Sequence, residues 1–136
     1  MKPEQQLWRN KLKPALEQIP GLAYERIELS TGTAGMPDVL YTYNGHGFIE
    51  LKVSKVLKKY YVSLSNWTIQ QRVWAKRHVN AGGKVLLLIE ADCNILLVDP
   101  KLVWDENGFL FNEHPSVLKL WSNRKSIPPL ELASVL

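Results

Sequence analysis

Three charged residues interrupt a stretch otherwise suited to burial. In MPDVLYTYNGHGFIELKV, residues 36–53, Asp38 opens one apolar run, and Glu50 and Lys52 sit inside the next, among Phe48, Ile49, Leu51 and Val53. Residues two apart on a strand point to one face, so Glu50 and Lys52 share a side while Ile49, Leu51 and Val53 enter a core. An ionised carboxylate on so apolar a strand is costly unless it is paired or binds a cation. A second carboxylate from Asp38, converging on the same region, would make an oxygen-ligand site for a divalent metal. Magnesium there would activate a water and stabilise charge developing on a phosphodiester. Lys52 would position that water or neutralise the phosphate.

The elements around these residues decide whether they can meet. The β-prone runs flank Asn44-Gly45, a hairpin signal. A simple two-residue turn would pair Val39 with Glu50 and turn Asp38 to the opposite face. A three- or five-residue loop puts Asp38 across from Lys52 on the same face, so the metal site requires an odd loop or a bulge. The bland alternatives are a turn residue after Pro37 for Asp38, and a wet strand face for Glu50 and Lys52.

A helix is predicted from Pro3 toward Glu17, kinked at Pro14, then a strand near 23–30 and the turn-rich loop STGTAG. The hairpin strands follow near 38–43 and 47–54. KVLKKYY reads as a basic loop, ending in a short strand at 62–64. A second helix is expected from Thr68 to Asn80, stopped by Gly82-Gly83. Strands at 84–90 and 94–99 and a last helix over 116–121 complete the pattern. The order is helix, three strands, helix, two strands, helix, an α/β arrangement around a mixed sheet. One domain over 1–136 is expected from the length and a 46% hydrophobic composition.

The net charge is +4, but its distribution says more. Between Leu51 and Ile89 stand Lys52, Lys55, Lys58, Lys59, Arg72, Lys76, Arg77 and Lys84, with no Asp or Glu. Such a block suits a polyanion, most simply a phosphate backbone. Tyr60, Tyr61, Trp67 and Trp74, interleaved with it, could stack on bases. A solvated lysine-rich loop and an ordinary helix surface remain the plainer explanation. No apolar run is long enough to span a membrane, and MKPEQQLWRNK has no secretory apolar segment. A single Cys93 and three scattered histidines give no disulfide and no zinc spacing. A reducing, cytoplasmic setting is expected.

Gly35-Met36-Pro37-Asp38 followed by Phe48-Ile49-Glu50-Leu51-Lys52 resembles the PD-(D/E)XK nuclease signature. Thr68-Ile69-Gln70-Gln71-Arg72-Val73-Trp74, the following Ala81-Gly82-Gly83 and an apolar strand extend the likeness. Together they resemble the small phage nucleases of the VRR-NUC kind and the endonuclease I-like Holliday junction resolvases. The likeness covers about residues 4–98 and leaves 100–136 as a C-terminal extension. It implies a restriction-endonuclease-like core, a mixed central sheet of about five strands flanked by helices. It further implies a Mg2+-dependent endodeoxyribonuclease, with Mn2+ able to substitute, acting on duplex, single-stranded or branched DNA (flap or junction) and assembling as a homodimer in the cytoplasm of the host cell.

The resemblance also assigns roles. Asp38, Glu50 and the carbonyl of Leu51 would bind metal, and Lys52 would be the catalytic lysine. Gln71 would match a glutamine often found on the helix after the signature strand, although Thr68-x-x-Gln71 is equally a capping box, with Gln70 as a substitute. A further acid on the first helix is usual in the family. Glu4 is the choice over Glu17, Glu25 and Glu28, because Glu4, Trp8, Leu12, Ala15 and Ile19 form one helical stripe; an acid in a first turn is also favoured by the helix dipole alone. Lys55, Lys58, Lys59, Arg72 and Lys76 would hold phosphates. Two other functions stay open: a nucleic-acid-binding module that does no chemistry on the same fold, and a protein whose basic segment contacts an acidic partner.

Overall fold

The computed structural model describes residues 2–27, 35–123 and 125–136. Glu28, the end of the strand expected to reach residue 30 and most of the STGTAG loop lie outside them. A mixed six-stranded sheet carries the molecule, in the order β1-β2-β3-β6-β7-β9. Its strands are β1 (Ala23–Arg26), β2 (Val39–Thr42), β3 (His46–Ser54), β6 (Val85–Ala91), β7 (Asn94–Val98) and β9 (Val117–Trp121). All neighbours are antiparallel except β3 and β6, joined through the crossover helix α3 (Ile69–Asn80). β6 reads VLLLIEA because it lies centrally with both faces covered. Leu86 and Leu88 enter one core with the first helix, Ile49, Leu51 and Tyr41. Val85, Leu87 and Ile89 enter the other with Trp74 and Ala75 of α3. Among the described residues no helix is long and apolar enough to cross a membrane.

The first helix is continuous but not uniform: α1 (Pro3–Leu7), a π-helical turn (Trp8–Leu12) and α2 (Lys13–Glu17). Pro14 has no N–H to return to the preceding turn, and its ring crowds the carbonyl four residues back, so the chain widens just upstream. The π turn brings residues five apart onto one side. Leu7 and Leu12 are therefore both buried, while Trp8, expected on the stripe, is only half-buried.

Two regions differ from the sequence expectation. KVLKKYY is a hairpin, β4 (Val56–Lys58) and β5 (Tyr61–Ser63), turning at Lys59-Tyr60 and joined by β8 (Gly108–Leu110) in a small second sheet. Residues 117–121 are strand β9, not a helix, because VLKLW pairs with β7 and buries Trp121. The last helix is α4 (Pro129–Ala133). Residues 100–136 thus give the main sheet its sixth strand, and Ile127 and Leu132 enter its core.

Gly35 fixes how α3 meets the loop leading to Asp38. Its φ is +87°, and a Cβ there would lie 2.3 Å from the carbonyl oxygen of Gln70. Gly35→Ala should cost about 2–4 kcal/mol, from positive-φ strain and displacement of the helix start. Urea unfolding measures it, and an unchanged midpoint would mean that this contact does not constrain α3.

Candidate active site

Asp38, Glu50 and Lys52 are brought to one face by an odd hairpin loop. Thr42 pairs with His46 across Tyr43-Asn44-Gly45, with Asn44 and Gly45 both at positive φ. The register Val39↔Ile49 then sets Asp38 opposite Glu50. The partner differs from the expected one: the three-residue loop places Asp38 across from Glu50, and Lys52 is one alternate position further along.

The backbone supplies the rest of the frame. Phe48 N–H donates to the Lys84 carbonyl at 2.9 Å, so even positions of β3 turn their peptide groups to β6. Ile49 and Leu51 therefore turn theirs toward β2. β2 begins at Val39, and past it Leu51 N–H donates to Asp38 Oδ2 at 2.8 Å. The Leu51 carbonyl faces the same gap, and Leu51 lines the cleft although its side chain is in the core.

Arg26 at the end of β1 holds Asp38 from the other side. Its Nη1 donates to the Asp38 carbonyl at 2.9 Å and lies 3.2 Å from Oδ1, while its guanidinium lies over Trp8, 5.9 Å from the ring centre. Lys52 Nζ donates to the Asn66 carbonyl at 2.9 Å, a firmer contact than its 4.0 Å separation from Glu50 Oε1. Asn66 in turn donates from Nδ2 to the Val53 carbonyl at 2.9 Å. Arg26 and Asn66 act here through contacts across the fold, which no local spacing announces.

Glu50 is 3% exposed and Lys52 6%. Burial first, and then the neighbouring Asp38 carboxylate, raise the Glu50 pKa from the ordinary 4.5 to about 10, against the opposing pull of Lys52 and Arg26. Two carboxylates side by side with this little cationic compensation suit a hard divalent cation. Asp38 retains free lone pairs on both oxygens beyond its contacts with Leu51 and Arg26. With the Leu51 carbonyl, the donor set is all oxygen and fits magnesium.

A cleft of about 440 Å³ opens onto these groups, lined also by Glu4, Gln5, Lys2 and Gln71. Glu4 reaches this cleft, but among the described residues no three His, Cys, Asp or Glu come together as a metal-holding group. Glu4 stands in the first turn of α1, on a wall shared with Lys2 and Gln5. Glu17 is taken up on the surface by Tyr24 and Lys13, and Glu25 is exposed on β1.

Gln71 caps α3 and also lines the cleft. Its N–H donates to Thr68 Oγ1 at 3.2 Å and its Oε1 accepts from Thr68 N–H at 3.0 Å, a full capping box. That leaves the amide NH2 for the cleft.

The polyanion reading needs correction at three residues. Trp67 and Trp74 are buried, one stacked on Trp104 and the other on His78, so neither offers a face to a base. Arg72 is occupied: its N–H groups donate to the carbonyls of Leu64, Trp67, Val103, Trp104 and Glu106, with the guanidinium 4.6 Å over Trp67. Its fork ties α3 to two loops and leaves at most one Nη2 N–H for a phosphate. Arg72→Lys should destabilise the fold by about 2 kcal/mol, since one ammonium cannot replace that fork, yet leave the salt dependence of DNA binding unchanged. A slope reduced by about one unit would restore Arg72 as a phosphate contact. Lys55, Lys58, Lys59 and Lys76 are exposed; the first three stand around the β4–β5 hairpin, outside the carboxylate cleft.

No protein-family model matches the chain, and no curated protein matches it significantly. Among solved structures it is similar to Hjc, a Holliday junction resolvase of the archaeal hyperthermophile Archaeoglobus fulgidus. The identity is 20%, the TM-score 0.46, and the match covers 77% of this chain and 79% of that one.

Proposed function

We propose that the protein is a metal-dependent endonuclease that hydrolyses DNA phosphodiesters. The observation that carries this reading is the register setting Asp38 opposite Glu50, with Lys52 on the same face of one open cleft. Asp38, Glu50 and the Leu51 carbonyl would hold Mg2+, with Mn2+ able to substitute. The cation supplies charge stabilisation for the phosphate and a more acidic water. Lys52, tethered by the Asn66 carbonyl, brings a positive charge to the attacked phosphate and orients the water's proton. The free NH2 of Gln71 donates to a phosphate oxygen. Exposed lysines along the β4–β5 hairpin hold the backbone without reading sequence. A homodimer would offer two such clefts to two strands of a branched substrate.

One observation favours a second reading, a binding module that does no chemistry. Asp38 is ion-paired with Arg26, which already offsets part of its charge. Cleavage of labelled duplex, single-stranded, flap and four-way-junction DNA with Mg2+, Mn2+ or EDTA separates the two. Metal-dependent cutting supports the nuclease, and the preferred substrate defines its class. Salt-dependent binding without cutting by any metal would leave the module.

A further inference from the structure

A second cleft, of about 480 Å³, has its own lining. The loop before α3 links it to the first. Asn66 holds Lys52, while its neighbours Ser65 and Trp67 line the second cleft. Thr68 lines the second cleft, and its capping partner Gln71 lines the first. Trp104 and Asn107, from the C-terminal part of the chain, and Lys76 of α3 contribute to the same space.

Trp104 packs against the second core and also lines the cleft. It is only half-buried, yet its ring is fixed against Trp67, with centroids 5.7 Å apart and planes 28° apart. Trp67 is itself covered by Arg72, and the Trp104 carbonyl is bound by the same guanidinium at 2.8 Å. An indole held in this way inside a cleft is a stacking platform. The remaining lining decides between a base and a second phosphate. Arg72 on this lining is engaged by backbone carbonyls and Asp105 offsets Lys76, while the Asp105 carboxylate, the Asn107 amide and the Ser65 and Thr68 hydroxyls suit the donor and acceptor edge of a nucleobase. Lys76 stands where the attached backbone would pass.

We propose that this cleft takes one unstacked nucleobase of the substrate strand, against Trp104, beside the phosphodiester held at Asp38 and Glu50. The inference rests on the nuclease reading and narrows its substrate to DNA with an unpaired nucleotide near the cut, as at a flap, bulge or branch point. Fully paired duplex leaves the cleft empty.

The test compares duplexes of one length carrying a single unpaired thymidine, an abasic spacer at the same position, or neither. Binding is measured by fluorescence anisotropy in calcium buffer, and cleavage in magnesium. The unpaired thymidine should tighten binding about tenfold over the abasic spacer, and Trp104→Ala should abolish that difference while leaving paired duplex binding unchanged. The wild-type comparison stands even if the variant misfolds. Equal binding of thymidine and spacer, with metal-dependent cutting intact, overturns the base cleft and leaves the nuclease. A thymidine preference with no cutting by any metal overturns the nuclease and keeps the cleft for a binding module. No binding to any of the three overturns both.

Discussion

Glu50→Gln should make a protein that is dead as a nuclease and more stable than wild type when metal is absent. Loss of the carboxylate removes a metal ligand, and cleavage should fall by about 10³-fold or more. The gain in stability follows from the raised Glu50 pKa. Between the ordinary 4.5 and about 10, the folded metal-free protein binds more protons at this position than the unfolded chain does. Stability without metal must therefore fall as pH rises through that window, the reverse of a salt-bridged carboxylate. Glutamine does not titrate, so the variant should lack this slope and gain about 1–3 kcal/mol at pH 8 in EDTA. Thermal melts at pH 5 and pH 8, with EDTA and with magnesium, measure it. Magnesium should raise the wild-type melting temperature and leave the variant's unmoved, since only the wild type gains binding energy. A wild type whose stability is flat from pH 5 to 8 in EDTA would mean that Glu50 is ionised and compensated by Lys52 and Arg26.

Lys52→Met should separate binding from chemistry. Methionine fills the space of the lysine stem, and Asn66 stays anchored to Val53 through its own Nδ2. The two carboxylates remain, so magnesium and DNA should both still bind. What is lost is the positive charge at the phosphate, and the cleavage rate should fall by about 10²–10⁴-fold. Single-turnover cleavage at saturating protein isolates this step. A fall in DNA affinity that accounts for the whole loss would make Lys52 a phosphate anchor with no part in the chemistry.

Much of this site was legible because it rests on period and parity. Glu50 and Lys52 share a face by strand alternation alone, and the demand for an odd loop followed from wanting Asp38 beside them. Gln71 was legible as the capping partner of Thr68. The failures have one physical cause, long-range packing that local pattern does not encode. Arg72 and Trp67 look like nucleic-acid contacts until the 103–106 segment takes up the guanidinium and stacks Trp104 on Trp67, and Trp74 does until Phe48 and His78 pack on it. VLKLW reads as a short helix only while β7, its pairing partner, is unseen. The Trp8 stripe assumed regular helical spacing, which the π turn ahead of Pro14 changes.

The three-residue connection Tyr43–Gly45 limits how this hairpin can change over time. Inserting or deleting one residue there cannot turn Asp38 away from Glu50 unless the register slips, and that slip would also turn the buried Val39 and Tyr41 out of the core. Changes of two residues would slide the acid along the same face by a single pair. Asn44 and Gly45 at the tip are exposed while Tyr43 packs against the core, so an added residue after Asn44 should be absorbed in the loop with the ladder held. In a library of loop lengths, cleavage and folded protein should fall together, because the acid and the core share one register.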